Sequence, residues 1–305
     1  MILLWFILAS LIGGSGSSLV KFSVNNFPTI TLVVVRALLS LLIFFPFLKT
    51  IRISIFDKNF KKLILANIFF AGNWIFFAFG IKNTSVIVGQ LSYVPTALIV
   101  AFLGYLFLRE RLKNEEIIGL VLTIVGMLVI VYGSIRSQDV LSFGTPLGNL
   151  LVFLGLISWS FYIVASKRIS NIYSPSIITF YNFAVAFVIG LFLLPLDLLF
   201  GNINSIKISP ESILGLVSLA LFSSVLFFYL YQLLIKLTSA FTASLVLYPV
   251  TILASFLGII FFNEELTLSL FFGAVIVVGG VIFATYKQFS KKIIKLKNGS
   301  LSNYR

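Results

Sequence analysis

Cysteine and histidine are both absent from the 305 residues, and only nine residues are acidic. Without cysteine there are no disulfides, no thiolate nucleophile and no thiolate metal site. Without histidine the commonest general base and metal ligand is missing. Most hydrolase and metalloenzyme chemistry goes with them, and neither a metal site nor a cofactor is expected. Charge is scarce as well, at 10% of residues against about 25% in soluble domains, which argues against a water-soluble fold. Apolar residues are plentiful: 60% of the chain is hydrophobic, with 34 Phe, and the mean hydropathy is +1.13.

The apolar residues fall into about ten stretches of roughly membrane-spanning length. They lie at approximately 2–20, 28–48, 63–81, 84–108, 115–133, 147–166, 174–199, 212–236, 240–262 and 266–286. Every backbone polar group in hydrocarbon needs an internal partner, so the stretches are helices or barrel strands. Leu147–Gly155 and Phe271–Ala284 do not alternate polar with apolar residues, and this favours helices. The expected fold class is an all-α integral membrane protein. No basic segment precedes the first apolar run and no small-x-small site follows it, so it reads as a retained helix, not a signal peptide.

Basic residues set the orientation. With both termini cytoplasmic, the inner segments hold seventeen Lys and Arg and the outer segments only Lys21, Lys82, Arg136 and Lys207, while Arg36 within a span completes the 22. That bias predicts an even number of crossings. It also assigns the +13 net charge to a face against anionic lipid, with no need for nucleic acid.

The chain repeats itself 154 positions on. Lys82–Ser85 matches Lys236–Ser239, Pro95 matches Pro249, and Phe102–Gly104 matches Phe256–Gly258. The register continues without a gap through Glu110/Glu264, Gly119/Gly273, Gly126/Gly280 and Tyr132/Tyr286. Two units follow, residues 1–135 and 147–287, with a basic cytoplasmic tail at 288–305. Each unit holds an odd number of spans, so the second enters from the opposite side as an inverted repeat. Secondary transporters use this plan, with substrate bound near the midplane between repeats.

The two sets of five spans, the Gly/Ser-rich first helix ending at Lys21, and Arg36 in the second helix resemble the drug/metabolite transporter superfamily. The repeated Pro–Gly–Glu-Leu–Gly pattern of spans 4–5 and 9–10 is similar to its EamA-type branch. In one respect the chain departs from that pattern. Relatives often carry an aromatic beside the small residues of span 1, where this chain has Gly13–Ser18; the second half has the aromatic version, Ser158–Tyr162. The resemblance implies a multi-pass transporter of small metabolites, not an enzyme.

Arg36 is the sharpest candidate for substrate binding. It lies eight positions into span 2, on the order of 12 Å from that end, and all nine acids fall at span ends or in loops. An intramembrane charge marks a functional site by default, and the partner here would be a substrate carboxylate or phosphate held bidentately. The competing reading is an Arg that caps carbonyls at a helix break or snorkels outward. With no histidine and no mid-span carboxylate for a proton relay, facilitated or exchange transport is expected.

Asn73, Trp74, Gln90, Tyr93, Trp159, Tyr181, Asn182 and Tyr248 complete the candidate substrate-binding set. Flat faces with amide hydrogen bonds suit amino acids or nucleobases, and interhelical hydrogen bonding is the bland alternative. Tyr162, Tyr231 and Gln232 lie close enough to span ends that interface or capping roles compete equally. Pro95 and Pro249 each remove a backbone donor and clash with the carbonyl four residues back, which makes them hinge candidates. Gly13/Ser17 and Gly14/Ser18 form small-xxx-small pairs for close helix packing. Glu110 and Glu264 are expected to cap helix N-termini.

The expected activity is transport of small metabolites, amino acids or related zwitterions first, by alternating access in the cell (plasma) membrane. A nucleotide-sugar, nucleotide-like metabolite or lipid exchanger on the same fold is the alternative. The partners expected are the substrate and membrane lipids, and a homodimer is compatible with the sequence.

Overall fold

The computed structural model describes residues 2–48, 58–108, 114–137, 143–200 and 206–265, and parts of 268–283. Glu110 and the basic tail lie outside these residues. Helix is the regular structure throughout the described chain. Eight helical stretches are long and apolar enough to cross a membrane: Ile2–Asn26, Thr29–Phe47, Phe60–Lys82, Val86–Phe107, Pro146–Ile169, Pro175–Asp197, Pro210–Leu237 and Ala240–Phe262. Two shorter apolar helical stretches, Ile117–Gly126 and Phe271–Gly280, fall where the fifth and tenth spans are expected. The protein is an all-helical, multi-pass membrane protein.

Several expected spans are broken. The first divides at Ser15 into α1 (Ile2–Gly14) and α2 (Gly16–Asn26), and is followed by α3 (Thr29–Phe44) and α4 (Phe60–Lys82). The fourth divides into α5 (Val86–Leu91) and α6 (Thr96–Leu108), ahead of α7 (Asn114–Ser137), α8 (Pro146–Ile169) and α9 (Pro175–Phe200). The eighth consists of α10 (Pro210–Ala220), a π-helical turn at Leu221–Leu226 and α11 (Phe227–Leu237). The ninth divides into α12 (Ala240–Ser244) and α13 (Leu247–Phe262).

The breaks in the fourth and ninth spans have a common cause. Pro95 and Pro249 cannot donate and collide with the carbonyl one turn back. Before Pro95 the chain tightens to i→i−3 bonds, Tyr93 N–H to Gln90 O at 2.9 Å and Val94 N–H to Leu91 O at 3.1 Å. Before Pro249 the i→i−3 bonds are longer: Tyr248 N–H to Leu245 O, the counterpart of Val94 to Leu91, is 3.2 Å, and Leu245 to Thr242 and Val246 to Ala243 are both 3.3 Å. The short helices ahead of these breaks start identically: Ser85 Oγ accepts from Val88 N–H, and Ser239 Oγ from Thr242 N–H. Each serine satisfies one otherwise free N-terminal donor.

Polarity is distributed as lipid requires. Long apolar side chains such as Leu3, Phe192 and Ile252 face outward, while Asn67, Ser160, Asn182, Ser224 and Ser244 are fully buried. Between helices in hydrocarbon, attraction comes from close packing and hydrogen bonds, not from expulsion of water. The α4–α8 pair shows this best. A Cβ on Gly80 would stand 2.7 Å from Val152 N and 2.9 Å from Gly148 O, and one on Gly148 would stand 2.6 Å from Asn83 O. Only glycine allows the two backbones to approach so closely.

Candidate functional site

A cavity of about 90 Å³ lies between residues of the two halves. Six of the nine candidate binding residues line it: Arg36, Asn73, Trp74, Gln90, Tyr93 and Trp159. Gly13, Gly16, Ser17 and Val20 of α1–α2 form another wall, and Ser223, Phe227, Phe228, Leu247 and Val250 the opposite side. The glycine run that reads as packing in the sequence therefore serves two purposes. Phe227 and Leu253 crowd Gly13 and Gly14, while Gly13, Gly16 and Ser17 also face the cavity.

Arg36 is buried, and its setting merges the two readings of the sequence. Nε donates to Ser224 Oγ at 2.8 Å and Nη2 to Ser223 O at 3.2 Å, so the guanidinium does cap a carbonyl at a helix irregularity. That irregularity is the π turn of the eighth span, where the wider backbone loosens the ladder. The guanidinium carbon sits 3.8 Å from the centre of the Trp74 ring, a close cation–π contact. Among the described residues Arg36 is also the only charged side chain in the cavity wall. Among the described residues no acid pairs with it.

The remaining wall is rich in donors. Trp74 Nε1, Trp159 Nε1, Ser17 Oγ and Ser223 Oγ are buried and have no hydrogen-bond partner among the described residues. A buried polar atom without a partner costs about 1–3 kcal/mol, so a ligand accepting these bonds would recover that cost. Asn73 is committed to the scaffold: Nδ2 donates to Tyr93 Oη at 2.5 Å and to Gly155 O at 3.0 Å. This joins α4 to α8 and positions Tyr93 at the break before Pro95.

Tyr181, Asn182 and Tyr248 do not reach the cavity. Tyr181 packs edge-on against Phe60, 5.7 Å between ring centres. Tyr248 packs half-buried beside Ile87, Val88 and Leu98. Asn182 joins a separate polar cluster, donating to Tyr162 Oη at 2.6 Å. Tyr162 Oη also accepts a short bond from Gln232 Nε2, and Ser166 Oγ donates to Gln232 Oε1 at 2.9 Å. Tyr162 and Tyr231 are fully buried, so both belong to the bundle interior and not to the membrane interface. Their nearness to span ends in the sequence conceals this.

Backbone clamps hold both ends of the bundle. Lys21 Nζ donates to the carbonyls of Ile81 at 2.8 Å, Lys82 at 3.5 Å and Thr84 at 2.6 Å. Thr145 N–H donates to Asn83 O at 2.7 Å, which places the start of α8 at this end. At the far end of α8, Lys167 Nζ donates to Ile235 O at 2.9 Å, Lys236 O at 3.4 Å and Thr238 O at 2.5 Å. Glu264 caps a helix, but one in the other half: Oε1 accepts from Val86 N–H at 2.5 Å and Oε2 from Ile87 N–H at 2.9 Å, at the start of α5. Burial raises its carboxyl above the ordinary value, while the two N–H groups and Lys21 pull the other way.

Comparison with known proteins agrees with this architecture. The EamA-like transporter family matches residues 1–132 and again 146–286. The chain is 28% identical over 285 residues to the uncharacterized transporter YyaM of Bacillus subtilis, covering 90% of each. It is 25% identical to the uncharacterized transporter YetK of the same organism, over 76% of this chain and 72% of the relative. Protein RarD of Salmonella typhi is 27% identical over a shorter stretch, 37% of this chain and 35% of the relative. A crystal structure superposes with a TM-score of 0.67 over 95% of this chain and 97% of the other, at 17% identity, and so shares the fold. The protein is a transporter and not an enzyme: the chain belongs to the EamA-like transporter family.

Proposed function

We propose that this transporter carries amino acids or related small zwitterions by alternating access at the Arg36 cavity. In this reading ten helices form two inverted five-helix repeats, 1–135 and 147–287, with both termini cytoplasmic and the protein in the cell membrane. The observation that carries it is the cavity wall. Among the described residues its lining holds one buried guanidinium and no acid, and four of the lining side chains, Ser17, Trp74, Trp159 and Ser223, keep a buried polar atom without a partner. Such a wall suits a carboxylate, while the Gln90 amide and the Trp faces suit an ammonium or a small side chain.

Size supports the same class. The space of about 90 Å³ is well below the roughly 300–1,000 Å³ of pockets for drug-sized ligands, so a nucleotide sugar demands far more opening than an amino acid does. The paired breaks before Pro95 and Pro249 supply hinges at matched depth in the two repeats. Among the described residues the cavity lining has no carboxylate, and the chain has no histidine, which favours facilitated or exchange transport.

Flux of radiolabelled candidates into proteoliposomes tests the reading. Saturable uptake of one or more amino acids, lost in Arg36→Ala, is the expected result. Uptake confined to nucleotide sugars or lipid, or amino-acid uptake indifferent to Arg36→Ala, overturns it.

A further inference from the structure

The two clamps provide a ruler for comparing the halves. Their acceptor carbonyls, at 81, 82, 84 and at 235, 236, 238, are 154 positions apart, and their donors, Lys21 and Lys167, are 146 apart. On those offsets Gly13, Gly16 and Val20 occupy the places of Trp159, Tyr162 and Ser166, and Phe77 occupies that of Tyr231. Arg36, eight residues after Pro28, falls within one residue of the place of Asn182, seven residues after Pro175. All five first-half residues line the cavity. Four of their five counterparts form the buried cluster around the Tyr162 hydroxyl, and the fifth, Trp159, lies between that cluster and the cavity.

We infer that the Tyr162 cluster is the closed second half of the substrate path, and that Tyr162, Asn182, Gln232 and Thr179 line it once it opens toward the Lys167 end. This rests on the alternating-access reading above. The chemistry of the cluster supports it. Trp159, Tyr162 and Ser166 share one face of α8 and run from the cavity wall toward Lys167, a rise of roughly 10 Å. Asn182 and Thr179 follow the same direction on α9, one turn apart. Asn182 Oδ1, Thr179 Oγ1 and Tyr231 Oη are fully buried with no partner among the described residues. A seam built only for packing has no use for unpaired polar atoms, whereas a path wetted in its other state does. The Tyr162 hydroxyl ties α8 to α9 and α11, so one side chain holds three helices shut.

The complete absence of cysteine makes the test direct. Thr179→Cys and Ser17→Cys each create a single thiol, one in the cluster and one in the cavity. A membrane-impermeant thiol reagent is applied to proteoliposomes from either face, with the cluster intact or loosened by Tyr162→Phe and, independently, by Gln232→Met. Loosening is expected to speed modification of Thr179→Cys from the Lys167 face by about tenfold, the population shift that loss of one or two hydrogen bonds gives. Modification of Ser17→Cys from the other face is expected to slow.

Unchanged Thr179→Cys modification in both loosened variants overturns the inference. So does acceleration of both thiols together, because that signals general loosening and not an exchange of access. Flux in the same vesicles separates the two proposals. Reciprocal labelling without any amino-acid flux rejects the substrate and keeps the path. Flux without reciprocal labelling rejects the path alone.

Discussion

The ends of the bundle carry the same lysine clamp, yet behind one lies a cavity and behind the other a packed cluster. At the Lys21 end the positions facing the centre are Gly13, Gly16 and Val20; at the Lys167 end they are Trp159, Tyr162 and Ser166. The backbone frame is repeated, and the largest difference between the copies is that Gly13 and Gly16 stand where the other has Trp159 and Tyr162. On the proposed alternating-access reading, the two halves that exchange are unequal, with a charged guanidinium on one side and a neutral amide on the other.

The most severe way to break the comparison is to give the open half the side chain of the filled one. A Cβ at Gly16 meets nothing closer than Ser223 at 3.7 Å, so Gly16→Phe is expected to fold and to fill the cavity. Uptake should fall by about 100-fold or more, since the remaining space is well below ligand size, while the elution profile in detergent stays that of the native protein. Arg36→Ala comes next. Loss of charge-assisted bonds worth about 1.5–3 kcal/mol predicts roughly 10- to 150-fold weaker uptake. Arg36→Lys should recover part of it, because an ammonium lacks the planar fork.

The clamps test the sameness of the two frames. Lys21→Met and Lys167→Met each remove bonds to three carbonyls, and each should lower stability by on the order of 1–2 kcal/mol, visible as similar falls in Tm. Because Lys21 also faces Glu264, the pair is compared in the Glu264→Gln background, where unequal falls would mean that the frames are not equivalent. The smallest effect concerns Glu264. Its carboxyl is raised by burial above the ordinary 4.5, so the folded state binds that proton more tightly than the unfolded one. Stability is then full below the unfolded value and declines as pH rises through the raised folded value. As pH rises above the ordinary carboxyl value of 4.5, the Tm of the native protein should fall relative to that of Glu264→Gln.

Much of the cavity was legible in the sequence because intramembrane polarity is rare and therefore informative. Arg36, Asn73, Trp74, Gln90, Tyr93 and Trp159 stood out at mid-span, and the cavity gathers all six. Tyr181 and Tyr248 stood out equally and face elsewhere, since depth along a helix says nothing of which side a residue points to. Asn182 has the same mid-span polarity yet binds Tyr162. Ser223 and Ser224 were unremarkable, because no sequence pattern announces a π turn and only that turn brings them to Arg36.

Composition and the 154-residue register determined, by themselves, that this is a helical membrane protein with a repeated half, that it lacks thiol and imidazole chemistry, and that its prolines stand in matched places. Those properties are sums and periods along the chain, and hydrocarbon leaves the backbone little choice but helix. Only the tertiary structure decided which polar side chains share a space, that Glu264 caps a helix of the other half, and that equivalent positions are open in one half and filled in the other. These depend on helix rotation and on contacts across more than a hundred residues. A one-dimensional pattern fixes where a helix lies in the chain, while its neighbours fix which way it faces.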